Sequence, residues 1–313
     1  MSERRIKLAT MNPELVTTQI GNFIIKQIVQ MGYNGGVLGL SGGVDSTSVG
    51  ALANYAFTRY NALSIGERIK QFNAVNPRQN LELTGFMLPS NTNNPKDTED
   101  GEKVAKRLAI DYGIINIELV VEAYKLTNPE TFNRNFTKGN LMSEIRATIL
   151  HAKAGALTRL VLGTGNRDED FGVGYYTLFG DGAVHMSPIG ALPKRLVRDL
   201  ARYLGFADLA DRIPTAGLEP GQTDFGDLGY KYEMVELVSE GVLQKFSPSK
   251  IFMHPQVRDM AHENILLYEK TFGKQKFTNE DDMLNDIFKR RRIAEDKAKL
   301  VSPPIAPVTL TYK

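Results

Sequence analysis

The chain has 313 residues, 42% apolar and 24% charged, a size and balance suited to one large α/β domain or two small ones. A net charge of +2, from 38 basic and 36 acidic residues, argues against a general nucleic-acid footprint. No apolar run reaches the roughly 20 residues that cross a bilayer, and the absence of cysteine excludes disulfides, thiolate zinc sites and a thiol nucleophile. The charged start, Met1 to Lys7, has no apolar segment behind it, so no secretory signal and a cytoplasmic location are expected.

Residues 12–31 carry apolar side chains at three- and four-residue spacings and predict a helix, stopped by Gly32 and Asn34-Gly35-Gly36. The apolar run Val37-Leu38-Gly39-Leu40 then leads into Ser41-Gly42-Gly43-Val44-Asp45-Ser46, and a helical pattern follows over residues 47–60. A strand, a glycine turn and a helix N-terminus together make an anion site. Glycines let backbone N–H groups approach a phosphate, and the helix dipole favours its charge. The stretch lacks the Gly-Lys-Ser/Thr ending of a Walker A loop.

Further on, the pattern predicts a short helix at 64–72, a strand at 81–88, a helix at 97–112 and a strand at 114–121. A polar connection at 124–138, a helix at 140–156 and a strand at 157–163 come next. The alternation implies a doubly wound, mostly parallel α/β sheet with helices on both faces. Ligands bind such sheets beyond the carboxyl ends of the strands, where Gly39–Ser46, Pro89-Ser90 and Gly163-Thr164 all fall. Residues 168–190, with glycines at 172, 174, 180, 182 and 190, read as a mobile lid or a solvated loop. A helix at 193–204, a loop at 211–229 and short helical patterns over 230–292 complete the chain, and the prolines at 303, 304 and 307 preclude a continuous terminal helix. No second domain is visible, so residues 1–313 are taken as one α/β domain with a divergent helical portion at 241–313. The histidines at 151, 185, 254 and 262 show no metal-ligand spacing.

Read alone, Lys194 is a solvated lysine at a helix start and Glu169 a surface acid. The surrounding strings change that reading. They are Gly163-Thr164-Gly165-Asn166-Arg167 with Glu169, Tyr175-Tyr176-Thr177, Gly180-Asp181-Gly182, Ser187-Pro188-Ile189-Gly190-Ala191-Leu192-Pro193-Lys194 and Pro220-Gly221-Gln222-Thr223-Asp224. With the Ser-Gly-Gly-Val-Asp-Ser loop they resemble the ammonia-dependent NAD synthetases over roughly residues 12–240. The resemblance implies an adenine nucleotide alpha hydrolase-like fold and an adenylating amide ligase. ATP activates the nicotinate carboxylate of deamido-NAD, and ammonia then displaces AMP. Gly39, Leu40, Ser41, Gly42, Gly43, Val44, Asp45 and Ser46 would hold pyrophosphate, with Thr164, Lys194 and Thr215 on ATP. Asp45 and Glu169 would bind Mg2+, Asp170 being the alternative because this chain has one residue more than usual before Gly174.

The acceptor positions carried over are Asn140, Glu144, Arg146, Leu178, His185, Asp224 and Lys299. Several depart from the family: Glu144 replaces an arginine, Leu178 a lysine and His185 an aspartate, and Phe225 stands where a glutamate is usual. Two alternatives follow, the same chemistry on nicotinate mononucleotide or another carboxylate, and a nucleotide-binding homologue without catalysis. The resemblance also implies a homodimer, with neither nucleic acid nor membrane as partner.

Overall fold

The computed structural model describes residues 4–215, 221–301 and 304–312. Its strands are β1 (Ala9–Met11), β2 (Gly35–Gly39), β3 (Glu82–Met87), β4 (Asp111–Ile114), β5 (Leu160–Val161) and β6 (Leu310–Tyr312). The helices are α1 (Pro13–Gln30), α2 (Val44–Asn61), α3 (Ile65–Phe72), α4 (Pro95–Leu108), α5 (Glu118–Thr127), α6 (Asn135–Leu157) and α7 (Lys194–Tyr203). After them come α8 (Ala207–Ala210), α9 (Asp224–Leu228), α10 (Tyr232–Leu243), α11 (Pro248–Met253), α12 (Pro255–Phe272) and α13 (Glu280–Leu300).

The central sheet is parallel throughout, in the order β4-β3-β2-β5. Alternation along the strands feeds two cores. Leu38, Leu83, Met87 and Leu160 pack with α1, α2 and α7, whereas Val37, Phe86 and Val161 pack with α5 and α6. This is the doubly wound arrangement the sequence pattern implies, and strand order reverses beside β2, where the glycine loop emerges. Past β5 the sheet edge continues through isolated parallel bridges, Leu162 to Met186 and Ser187 to Ile305. β1 and β6 form a separate antiparallel ribbon. A third apolar cluster gathers Met234, Val235, Leu237, Val257, Leu284 and Ile287 from α10, α12 and α13, together with Ile6 and Val173.

Several elements differ from the sequence reading. The helix expected at 97–112 starts at Pro95, where the Asn94 side chain caps it, and stops at Ala109 in the left-handed conformation. The strand expected at 114–121 is only Asp111–Ile114, and the rest of that apolar run enters α5. There Ile117 and Val121 lie on the inner side while Leu119 is 87% exposed, which is helical spacing. The expected lid at 168–190 opens with a wide, π-type helical turn, Asp168–Val173, packed on α10 and α13. The Ser302-Pro303 break and residues 216–220 lie outside the described residues.

Gly101 of α4 lies against the glycine loop: a Cβ there would fall 2.6 Å from the Leu40 carbonyl oxygen and 2.9 Å from Met87 Cγ. Gly66 in α3 faces open space. Gly101→Ala is therefore expected to lower stability by about 1–3 kcal/mol and Gly66→Ala to raise it by about 0.4–1 kcal/mol, both read from urea unfolding.

Candidate active site

The glycine loop leaves β2 at Gly39 and enters α2 at Val44, with Gly43 as an N-cap that supplies no side-chain hydrogen bond. The first intrahelical bond is Thr47 N–H to the Gly43 carbonyl at 3.1 Å, an ordinary length. The N–H groups of the first turn therefore have no helical partner and face the cavity, as an anion site requires. The Ser46 hydroxyl lies 3.1 Å from that of Ser41 and donates to the Gly43 carbonyl at 3.2 Å. Gly42 has φ +72°, and a Cβ on it would sit 2.8 Å from Asp100 Cβ, so only glycine lets the turn close onto α4. Arg212 fixes it there, donating to the Gly42 carbonyl at 2.8 Å while pairing with Asp97 and Asp100.

Asp45, in the first turn of α2, meets two residues from far along the chain. Lys194 Nζ is 2.5 Å from Asp45 Oδ2 and 2.6 Å from Glu169 Oε1. Lys194 is 3% exposed, so neither it nor Glu169 is the surface residue a local reading gives. Burial opposes charge on Lys194, but the paired carboxylates outweigh it and raise its pKa, keeping the ammonium. Burial pushes Glu169 up, opposed by Lys194. Lys194 opens α7, and its backbone N–H is accepted by Asp168 Oδ2 at 2.9 Å. Asp224 lies close by, held by the Tyr232 hydroxyl at 2.8 Å.

Asp45, Glu169, Lys194, Arg212 and Asp224 line one cavity of about 980 Å³. At one end are Gly39, Leu40, Ser41, Gly43, Val44, Asp45, Ser46, Thr164 and Thr215; Gly42 alone of that stretch turns its back on it, toward α4. At the other end are Asn140, Ser143 and Arg146 of α6, Tyr176, Leu178 and Asp181 of the following segment, and Arg290 and Lys297 of α13. Asn140 accepts from the Thr177 hydroxyl at 2.8 Å.

Four expected acceptor or metal positions are placed elsewhere. Glu144 does not line the cavity. His185 faces β5: its Nδ1 accepts the Val161 N–H at 2.9 Å and its ring lies 4.9 Å from that of His151, a structural part. Lys299 is exposed and paired with Asp296, while Lys297, two residues back and so on another side of the helix, reaches the cavity. Lys297 donates to the carbonyls of Gly174 and Tyr176 at 2.9 and 2.5 Å. The extra residue before Gly174 is absorbed by the wide turn, which sends Glu169 toward Lys194 and tucks Asp170 against Gly165. Arg146 lines the cavity but spends its guanidinium on the Leu88 carbonyl and Asn93 Oδ1, both at 2.9 Å. Sequence reasoning missed Arg212, Asn166, Asp168, Asp181 and Lys297. Asn166 and Asp181 lie inside quoted strings, which were the available signal, and Asp168 only opens the glycine-rich stretch at 168–190.

A family model described as NAD synthase matches residues 16–277, leaving α13 outside the match. The NH(3)-dependent NAD(+) synthetase of Methanococcoides burtonii is 32% identical over 268 residues, 85% of this chain and 94% of that protein. Among solved structures, the NMN synthetase of Francisella tularensis aligns with a TM-score of 0.68 at 26% identity, covering 94% of this chain and 99% of that one. The NH3-dependent NAD synthetase of Campylobacter jejuni aligns with a TM-score of 0.56 at 25% identity, covering 81% and 95%.

Asp168 is fully buried, and burial pushes its carboxyl up to about 8, with Arg167 opposing. An acid raised in the folded state favours the fold when protonated. Its contribution is complete below about pH 4, the unfolded value, and is lost as pH rises through about 8. Asp168→Asn keeps an oxygen for the Lys194 N–H but cannot ionise. The variant should therefore flatten the fall in urea midpoint across about pH 4–8; an unchanged slope contradicts this assignment.

Proposed function

This chain belongs to the NAD synthase family, and from that premise we propose how its cavity carries out the ATP-driven, ammonia-dependent amidation of deamido-NAD to NAD. The observation that carries the reading is the convergence of Asp45, Glu169 and Lys194 beside an uncapped helix N-terminus inside one cavity.

The triphosphate lies along Gly39–Ser46, its terminal phosphates taking the free N–H groups at the start of α2 and the Ser41 and Ser46 hydroxyls. A nicotinate carboxylate oxygen attacks the α-phosphorus, and the α–β bridging bond breaks with its electrons leaving on pyrophosphate. Lys194 moves from the carboxylates to the developing charge at the α-phosphate. Ammonia then attacks the acyl carbon, the carbon–oxygen bond to AMP breaks, and nitrogen sheds a proton. The absence of cysteine fits free or partner-delivered ammonia, because glutamine hydrolysis commonly uses a thiol.

Asp45 and Glu169 suit Mg2+, since their hard oxygen donors already converge on one positive charge. Mg2+ is commonly held by one or two carboxylates plus substrate phosphates, and among the described residues no cluster of three or more His, Cys, Asp or Glu offers an all-protein cage. When bound, the ion supplies charge neutralisation on the phosphates. A homodimer and a cytoplasmic location complete the proposal; among the described residues no helix is long and apolar enough to cross a membrane.

A second reading, nicotinate mononucleotide as acceptor, has a specific observation behind it. At the acceptor end Leu178 carries no charge and Arg146 is committed to Leu88 and Asn93. Each missing charge-assisted bond weakens the hold on a dinucleotide's phosphates by about 1.5–3 kcal/mol. The aligned Francisella protein is described as an NMN synthetase.

Purified protein with ATP, Mg2+ and ammonium should release AMP and pyrophosphate only when a nicotinate nucleotide is added. A higher kcat/KM for deamido-NAD sustains the first reading. A preference of about tenfold or more for the mononucleotide, some 1.4 kcal/mol, replaces it with the second, and no turnover with either leaves a nucleotide-binding homologue. Lys194→Met should lower kcat by about 10²–10³-fold, measured as AMP formed at saturating ATP.

A further inference from the structure

Asn166 is completely buried, and its amide is fully engaged on both sides. Its Nδ2 donates to Asp45 Oδ1 at 3.0 Å. Its Oδ1 accepts the N–H groups of Asp168 and Glu169, at 3.1 and 3.2 Å. Its own carbonyl accepts the Asp170 N–H at 3.0 Å. One side chain thus ties the carboxylate after β2 to the turn that carries the carboxylate after β5. The orientation of the amide is forced: turned over, it would set oxygen against a carboxylate and NH2 against two N–H donors.

We propose that Asn166 is a positioning residue that sets the separation of Asp45 and Glu169, and thereby the hold of the site on a divalent cation and nucleotide together. Lys194 bridges the same carboxylates, yet it is a flexible chain that leaves when phosphates arrive. Asn166 touches Asp45 through the other oxygen, Oδ1 rather than Oδ2, so its grip persists when the ammonium moves. No other side chain offers a donor for the carboxylate and an acceptor for both N–H groups at that reach. Serine accepts from N–H groups two or three residues on, as at turns, but has nothing to reach Asp45. Glutamine keeps both groups one methylene too far out.

The inference rests on the ATP-dependent reading above. Its test is the affinity for a non-hydrolysable ATP analogue with Mg2+, measured by calorimetry on the wild type and on Asn166→Ser, with KM for the nicotinate acceptor and the melting temperature as companions. Outer partners of metal-binding side chains typically contribute about 10–100-fold in metal affinity. The expected result is a loss of at least about tenfold in Mg2+–analogue affinity for Asn166→Ser, with acceptor KM within about twofold and melting near the wild type. If Asn166→Ser does not fold, Asn166→Gln should give the same selective loss. Wild-type affinity in either folded variant, or equal losses for nucleotide and acceptor, overturns the role. A wild type that neither binds the Mg2+–analogue pair nor forms AMP would instead defeat the function reading itself.

Discussion

The ammonium of Lys194, 2.5 Å from Asp45 and 2.6 Å from Glu169, lets two part-buried carboxylates share one site. Side by side and largely shielded from water, two carboxylates do not both stay ionised easily without a compensating cation. The ion pair carries its own desolvation cost, so it is weak evidence for stability. Its consequence is organisational: it keeps both acids pointed at one place, where a positive charge is already favoured. The proposed reaction asks for an exchange of cations rather than the assembly of a site, with the same lysine then available to the phosphates. Around it stand buried supports, Asp168 on the Lys194 backbone and Asn166 on Asp45.

The topology of the sheet brings these groups together. Asp45 follows β2, Glu169 follows β5, and β2 and β5 are parallel neighbours, so their carboxyl ends open on the same rim. Lys194 arrives at the start of α7, which packs on α2. Arg212 holds the glycine loop against α4 from yet another segment. Each piece comes from a connection rather than from a strand, as expected where a rigid sheet carries chemistry on its loops. The acceptor end is walled partly by α13, which lies beyond the region the family model matches.

What could be read in the sequence was whatever depends on local chemistry. The Ser41–Ser46 turn needs glycine at a positive φ and an uncapped helix, both visible as residue types. The two-sided sheet was visible in the alternation of strand and helix patterns, and Val37 and Leu38 facing different cores bears it out. Less was visible where one apolar run serves two elements: residues 114–121 end a strand and begin α5, and no propensity separates them. The wide turn at Asp168–Val173 hides its function because Lys194 and Arg167 pair with its carboxylates and Asn166 holds its N–H groups, contacts that its residue types alone do not show. His185 stands where the family has an aspartate, yet its partner is a backbone N–H of β5. Lys297 rather than Lys299 reaches the cavity because helical phase, set by packing on the Asp168–Val173 turn, decides which lysine faces inward.

The central claim is that this cavity activates a carboxylate by transferring AMP to it. The most direct measurement uses a nicotinate nucleotide whose carboxylate oxygens are both ¹⁸O, followed by mass analysis of the products. Displacement by ammonia breaks the bond between the acyl carbon and the bridging oxygen, so the account predicts AMP carrying one ¹⁸O and an amide retaining the other. Unlabelled AMP, or ADP with label in inorganic phosphate, would contradict it.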